Sequence, residues 1–256
     1  MSKIAEIWKE TYKIRDYEVR PDARVSIAVI ADFLQDAAGH HAEGMNLSGY
    51  RLYEDGYAWV LTRLKISMTR YPRMGETLLI ETWPTGLEKY IASRDFLLKT
   101  DKGEACGVAT SAWVALNIES RKMDPLPDYV NLEHEPRKER ALEFSSRSLP
   151  RLKNHEYALT FKVRESDLDF NNHVNNAHYL SWALESIPLE KREGLSPADV
   201  DILFRAEARY GDEAEARCIN NTDIEKNRLS RHSIVRVEDG TELARIQVSW
   251  TDQHNV

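Results

Sequence analysis

The stretch that decides the fold runs from Phe161 to Ile187. It opens on Phe161-Lys162-Val163-Arg164 and passes through Asp169-Phe170-Asn171-Asn172-His173-Val174-Asn175-Asn176. The first four residues alternate as a short strand does. From Asn175 onward, Tyr179, Leu180, Trp182, Ala183, Leu184 and Ile187 are apolar nearly all round, which predicts a buried helix, and Pro188 marks its end. Between strand and helix lies a polar loop with an acid, an amide and an imidazole two residues apart.

The same order occurs earlier in the chain. Tyr17-Glu18-Val19-Arg20 matches Phe161-Lys162-Val163-Arg164 at an offset of 144 (161 − 17). Arg70-Tyr71 matches Arg209-Tyr210 at 139 (209 − 70), and Arg94, Gly103 and Trp113 match Arg231, Gly240 and Trp250 at 137 (231 − 94). The order is kept and the offset drifts slowly, which predicts a duplicated unit of roughly 110–120 residues. In the first copy Val25, Ile27, Ile30, Leu34 and Ala37 recur near helical spacing. Strands follow at Leu61 to Met68, Thr77 to Trp83 and Val108 to Leu116, with turns at Pro72 to Glu76 and Asp101 to Gly103. The second copy repeats this at Ile234 to Val237, a Glu238-Asp239-Gly240 turn, and Leu243 to Trp250. One helix followed by a run of strands predicts an α+β plan, a helix packed on an antiparallel sheet, twice over.

Composition narrows the function classes. The 256 residues allow two domains, and 42% hydrophobic residues suffice for a core in each. A net charge of −7 argues against general nucleic-acid binding. Cys106 and Cys218 form neither a disulfide framework nor a zinc spacing, which favours a reducing compartment. No run reaches the ~18 apolar residues of a membrane span, and the start lacks the features of a signal or transit peptide. A cytoplasmic protein without a membrane partner is the expectation. His173 and His178 lie five apart with no third ligand in view, so neither a metal nor a cofactor is expected.

The loop carries the chemistry. Asp169 can accept or deliver a proton, Asn171 can orient a carbonyl or a water, and His173 can donate near neutral pH. A loop feeding a helix start also exposes backbone N–H groups, here those of Val174 and Asn175, where an oxyanion could rest. Spacing alone also fits a turn capped by its own Asp or Asn. Together these groups can hydrolyse an activated acyl compound.

Ser166-Asp167-Leu168-Asp169-Phe170-Asn171-Asn172-His173-Val174-Asn175-Asn176, with Trp182 and Leu184-Glu185-Ser186, closely resembles the signature of the plant and bacterial acyl-acyl carrier protein thioesterases. The segment Asp32 to His41, Tyr71-Pro72, Ile80-Glu81-Thr82-Trp83 and Ala109 to Val114 resemble that family's N-terminal domain. The resemblance implies two hotdog domains in tandem. Their expected limits are 1–124 for an acyl-pocket domain, 125–154 for a linker and 155–256 for a catalytic domain. It implies hydrolysis of fatty acyl-acyl carrier protein, with Asp169, Asn171 and His173 catalytic and Glu207, on a strand 34 residues after the histidine (207 − 173), as a further acid. The acyl pocket would draw on the Val25 to Ala37 helix and the Trp59 to Leu64 segment.

One departure stands out. Many plant members carry a cysteine directly after that glutamate, and here the residue is Ala208. A carboxylate-driven route is therefore favoured over a cysteine nucleophile. The first copy's equivalent loop, Arg20-Pro21-Asp22-Ala23-Arg24-Val25, lacks the Asn and His. The basic residues Arg137, Lys138, Arg140, Arg147, Arg151 and Lys153 fall in the linker, read either as a solvated connector or as a docking patch for the acidic acyl carrier protein. A hotdog thioesterase acting on coenzyme A esters and a non-catalytic acyl-binding sensor are the competing readings. Open sheet edges make a homodimer possible.

Overall fold

Each half of the chain commits its apolar residues to one main helix and one antiparallel sheet. The computed structural model describes residues 3–88, 90–123, 134–221 and 228–252. It divides into two compact units. The first comprises Met1–Val25, Phe33–Ile66 and Tyr71–Phe144, and the second Ser26–Asp32, Ser67–Arg70 and Ser145–Val256.

In the first half the elements run β1 (Lys3–Ile4), β2 (Trp8–Lys13), α1 (Ile27–Gly44), α2 (Gly49–Glu54), β3 (Tyr57–Met68), β4 (Thr77–Glu88), β5 (Ile91–Thr100), β6 (Ala105–Asn117) and β7 (His134–Glu135). The main strands are ordered β2-β4-β5-β6-β3, and β1 pairs in parallel with β7. In α1 the buried residues Ile27, Ile30, Ala31, Leu34, Ala37 and Ala38 recur at helical spacing, as predicted. Each large one buried stabilises the fold by at most about 1.5–3 kcal/mol.

In the second half the elements are β8 (Tyr157–Lys162), α3 (Asn176–Glu185), α4 (Leu189–Arg192), β9 (Leu195–Phe204), β10 (Glu213–Asn221), β11 (Leu229–Arg236) and β12 (Glu242–Asp252). Their order is β9-β12-β11-β10-β8, all antiparallel where the pairing is resolved. Helix α3 packs on β8, β10, β11 and β12 through Tyr179, Leu180, Trp182 and Ala183. The turns at Gly103 and Gly240 have φ of +82° and +72°. Open space surrounds both glycines, so backbone conformation rather than room requires them.

The repeat is real, but its opening register differs from the one read in the sequence. Tyr17-Glu18 belongs to a short 3-10 turn, Asp16–Glu18, and the strand is β2, further upstream. The true offset there is 149 (164 − 15). Arg15 and Arg164 each hold the acid three residues on, Glu18 and Asp167. Tyr12 stacks on Phe33 as Phe161 stacks on Trp182. Beyond the helix the offset is 136 (211 − 75), where Gly75 and Gly211 donate to Ile14 and Val163 carbonyls in equivalent bonds. The longer α1, 18 residues against 10, accounts for most of the drop.

The linker also departs from expectation. Pro125 and Pro127 lie outside the described residues. From Arg137 to Phe144 the segment is strapped to the first unit, although Lys138, Glu139, Arg140 and Glu143 stay exposed. The Arg137 N–H donates to the Pro84 carbonyl at 2.9 Å, and the Trp83 indole donates to the Glu139 carbonyl at 2.9 Å. The Arg140 guanidinium grips Asp95, which is 0% exposed, at 3.0 and 3.3 Å. The last crossing of the chain from the first unit to the second falls between Phe144 and Ser145.

Candidate active site

The reactive loop is shaped before α3 begins. Asp167, buried, accepts the Arg164 backbone N–H at 2.8 Å and its guanidinium at 2.8 and 3.2 Å. Burial opposes its charge, but the Arg164 bonds outweigh that and hold the Asp167 carboxyl below the usual range. Leu168 and Val174 then form a bridge that closes the loop. Within it the Asp169 N–H donates to the His173 carbonyl at 2.7 Å. Asn172 sits at φ +60°, a left-handed conformation that asparagine tolerates.

The predicted residues take distinct places. Asp169 is half-buried, and its Oδ1 accepts the backbone N–H of Asn171 at 2.8 Å and of His173 at 3.2 Å. Among the described residues nothing donates to its Oδ2. Asn171 is exposed, and its side-chain amide makes no hydrogen bond among the described residues. His173 is half-buried, with Nε2 3.2 Å from Glu207 Oε2. Glu207 accepts only if Nε2 carries the hydrogen, which leaves Nδ1 with its lone pair in the neutral ring. Loop and acid, 34 residues apart in sequence (207 − 173), therefore meet.

Glu207 is not on a strand, contrary to expectation. It lies three residues past the end of β9 (207 − 204). Its position is set through Ala208 instead. The Ala208 N–H donates to the Tyr179 hydroxyl at 2.9 Å, and its carbonyl accepts the Val174 N–H at 3.0 Å. One residue thus pins the acid's segment to both the helix and the loop. Burial raises the Tyr179 pKa, so its hydroxyl stays neutral. Ala208 is 0% exposed, so its side chain faces the interior.

The expected oxyanion donors fail. The Val174 N–H is spent on Ala208, and the Asn175 N–H donates to the Asp167 carbonyl at 2.9 Å. Neither is available to a substrate oxygen. The Ala177 and His178 N–H groups are also taken, by the side chain and carbonyl of Asn175. Helix N-termini leave four donors open, but this one is capped by its own residues. Among the described residues, the side-chain amides of Asn171 and Asn172 make no hydrogen bond and stay exposed at the loop.

Sequence reasoning missed two participants here, Tyr179 and Asp32. Asn175 donates through Nδ2 to Asp32 Oδ1 at 2.9 Å, while its Oδ1 caps α3 at the Ala177 N–H. Burial lifts the Asp32 carboxyl, and the Asn175 bond and the nearby His178 hold it back only in part. A separate cleft of about 470 Å³ between β8 and α3 is lined by none of Asp169, Asn171, His173 or Glu207.

The first copy supplies a comparison. At offset 149 the residues equivalent to Asp169, Asn171 and His173 are Arg20, Asp22 and Arg24, which form ion pairs with one another at 2.9 and 3.2 Å. At offset 136 the residue equivalent to Glu207 is Tyr71, beneath the Arg20 guanidinium. That loop shares the backbone and none of the reactive groups.

Comparison with known proteins gives consistent matches. Residues 5–132 match the model of the acyl-ACP thioesterase N-terminal domain and residues 151–252 that of the C-terminal domain. A chloroplastic acyl-[acyl-carrier-protein] hydrolase of Cuphea viscosissima is 30% identical over 257 residues, covering 95% of this chain and 62% of that protein. The oleoyl-acyl carrier protein thioesterase 1 of Arabidopsis thaliana is 31% identical over 243 residues, covering 85% of this chain and 65% of that protein. The chain thus spans a little under two thirds of the length of these relatives. Among solved structures, an acyl-ACP thioesterase from Bacteroides thetaiotaomicron superposes with a TM-score of 0.84 at 24% identity, covering 96% of this chain and 98% of that one. The 12:0-ACP thioesterase of Umbellularia californica gives 0.83 at 23% identity, covering 96% and 98%. The fold is that of these enzymes, a tandem hotdog.

Proposed function

Because the chain belongs to the acyl-ACP thioesterase family, we propose that it hydrolyses the thioester between a fatty acyl group and acyl carrier protein. The pairing of His173 with Glu207 at 3.2 Å carries this reading. It gives a histidine held in one tautomer by an acid, beside a carboxylate tethered to the same loop. A thioester needs little more, because thiolate is a good leaving group.

In this reading water supplies the oxygen that attacks the carbonyl carbon. The C–S bond then breaks, and the departing sulfur takes a proton. Glu207 orients His173, whose Nδ1 lone pair is free to take the proton of the attacking water. Asp169, anchored through Oδ1, presents Oδ2 as the second carboxylate, either as a base for that water or, in the alternative route, as a nucleophile that expels the thiolate to form a mixed anhydride, which water then splits into fatty acid and carboxylate. The Asn171 amide replaces the backbone groups as donor to the developing oxyanion, a role typically worth about 100- to 1000-fold in rate. Ala208 leaves no thiol for a covalent route. Both cysteines are buried thiols outside any disulfide, which supports a reducing compartment such as the cytoplasm.

The test is thiol release from acyl-acyl carrier proteins of graded chain length, beside the matching coenzyme A esters. Release from the carrier protein, lost in Asp169→Asn, is the expected result. Turnover of the coenzyme A esters alone would replace the carrier in this reading. Acyl binding with no turnover of either would make the chain a sensor. Single-turnover hydrolysis in heavy-oxygen water decides the route, since label in Asp169 itself would establish the anhydride.

A further inference from the structure

Asp32 lies 143 residues before Asn175 in sequence, yet the two share a hydrogen bond within the second unit. Asp32 belongs to the opening turns of α1, where a helical acid would ordinarily face water. Here it is half-buried, and its Oδ1 takes one N–H of the Asn175 amide at 2.9 Å.

That bond does something a generic contact would not. A side-chain amide has one accepting end and one donating end, and Asn175 uses both. Its oxygen caps α3 at the Ala177 N–H, 3.3 Å away, and its nitrogen reaches Asp32. A carboxylate can only accept, so Asp32 dictates which end of the amide faces the helix. The Asn175 backbone N–H meanwhile holds the Asp167 carbonyl, where the reactive loop begins. His173 lies two residues before Asn175, and Asp169 two residues after Asp167. The loop is therefore gripped at both ends by a residue whose orientation Asp32 sets.

We propose that Asp32 is a positioning residue for the hydrolytic loop. Through Asn175 it fixes the loop from Asp167 to Asn175, and so the placement of Asp169 and His173. The inference rests on the hydrolase reading for its consequence, and on the Asp32–Asn175 bond for its geometry. It also accounts for a half-buried acid at a place where the first copy's equivalent pairing is absent, since Ser26 stands where Asn175 does at offset 149 (175 − 26).

The test is a double-mutant cycle on the full chain with acyl-acyl carrier protein as substrate. Asp32→Ala is expected to lower kcat about 10- to 100-fold, because a displacement near 1 Å at the reacting groups is enough for that, with KM changed less than threefold. Asp32→Asn keeps an accepting Oδ1 and is expected to recover most of the loss. Asp32→Ala with Asn175→Ala should be no worse than the poorer single variant, since both break one linkage. Hydrogen exchange over 169–177 gives a readout independent of turnover. It should quicken in Asp32→Ala and return in Asp32→Asn. A kcat within twofold of the unaltered protein, multiplicative losses in the double variant, or unchanged exchange would overturn the proposal. If the unaltered protein hydrolyses no thioester, the functional reading falls, and the exchange pattern still decides the role of Asp32.

Discussion

His232 allows a prediction whose size follows from the structure. It is 0% exposed, on β11 beneath α3. Its hydrogen bonds run in one direction. The Trp250 indole donates to Ser230 Oγ at 2.9 Å, and Ser230 Oγ lies 2.9 Å from Nε2. On the other side Nδ1 lies 3.3 Å from Ser186 Oγ, which donates to the Ala183 carbonyl at 2.7 Å. The Ser186 hydrogen is spent, so Nδ1 must donate to it, and Ser230 must donate to Nε2. A second ring proton on Nε2 would face the Ser230 hydroxyl hydrogen. Burial already pushes the His232 pKa down to about 3 from its ordinary 6.5. The folded state therefore stays neutral while the unfolded chain takes up a proton below pH 6.5. Stability is complete above that pH, falls as the pH drops towards 3, and then levels off. From pH 7.5 to 4.5 one such group costs about 3 kcal/mol. For a chain of this size that is roughly 5–10 °C of Tm. Other groups titrate too, so the measurement is the difference between the unaltered protein and His232→Asn, each melted at both pH values. The variant should begin less stable and lose less on acidification. The imidazole C–H resonances of His232 should hold their neutral positions down to pH 4.5. Equal pH losses in the two proteins, or a ring titrating within a unit of 6.5, would refute the reasoning.

Asp169→Asn keeps an oxygen for the two loop N–H groups, so its Tm should stay within about 3 °C while kcat drops about 100- to 10,000-fold; activity above a tenth of normal would remove the carboxylate from the chemistry. Glu207→Gln should lower kcat with little change in KM, and an unchanged kcat would show that His173 needs no acid. Ala208→Cys should neither raise activity nor react with an exposed-thiol reagent, because that side chain points inward; rapid labelling would contradict its burial. Arg140→Ala leaves the buried Asp95 without its cation and should cost about 3–5 kcal/mol, read by thermal unfolding. A loss under 1 kcal/mol would mean that the Ala141 N–H, 2.7 Å from Asp95, suffices alone.

Much of the plan was legible because it depends on local period. The α1 stripe, the buried α3 and the turns at Gly103 and Gly240 follow from spacing and backbone preference. The loop residues Asp169, Asn171 and His173 were legible as chemistry by type and spacing, and Glu207 only through resemblance. What escaped depends on partners far away in sequence. Tyr17-Glu18-Val19-Arg20 alternates as a strand would, but Glu18 turns back to Arg15, so the segment coils instead. An Arg followed three residues later by an acid, at 15/18 and again at 164/167, was the signal that fixes the repeat at 149. The free helix-start donors were a sound expectation from α3 alone. They vanish because the Ala208 and Asp167 carbonyls arrive from elsewhere. Arg140 read as part of a solvated connector or a docking patch for the same reason, since Asp95 lies 45 residues away (140 − 95).

The duplicated loops separate what the backbone needs from what the chemistry needs. Both have a left-handed residue, Ala23 at φ +61° and Asn172 at φ +60°. Both send the N–H before the helix to a carbonyl of the returning segment, Val25 to Pro72 at 2.9 Å and Val174 to Ala208 at 3.0 Å. Both cap the same N–H with a carboxylate, but from different positions. Asp22 takes the Arg24 N–H at 3.2 Å, and Asp169 takes the equivalent His173 N–H at 3.2 Å. Capping alone therefore does not mark Asp169 as reactive, since an inert copy needs it as well. Moving the cap two residues upstream leaves position 171 to an unbonded amide, where the first copy holds an ion pair. One contact with no equivalent in the first copy is His173 against Glu207, because Arg24 and Tyr71 can form nothing of the kind. A feature that the shared backbone does not require, and that joins an imidazole to an acid at 3.2 Å, is the one the proposed hydrolysis draws on.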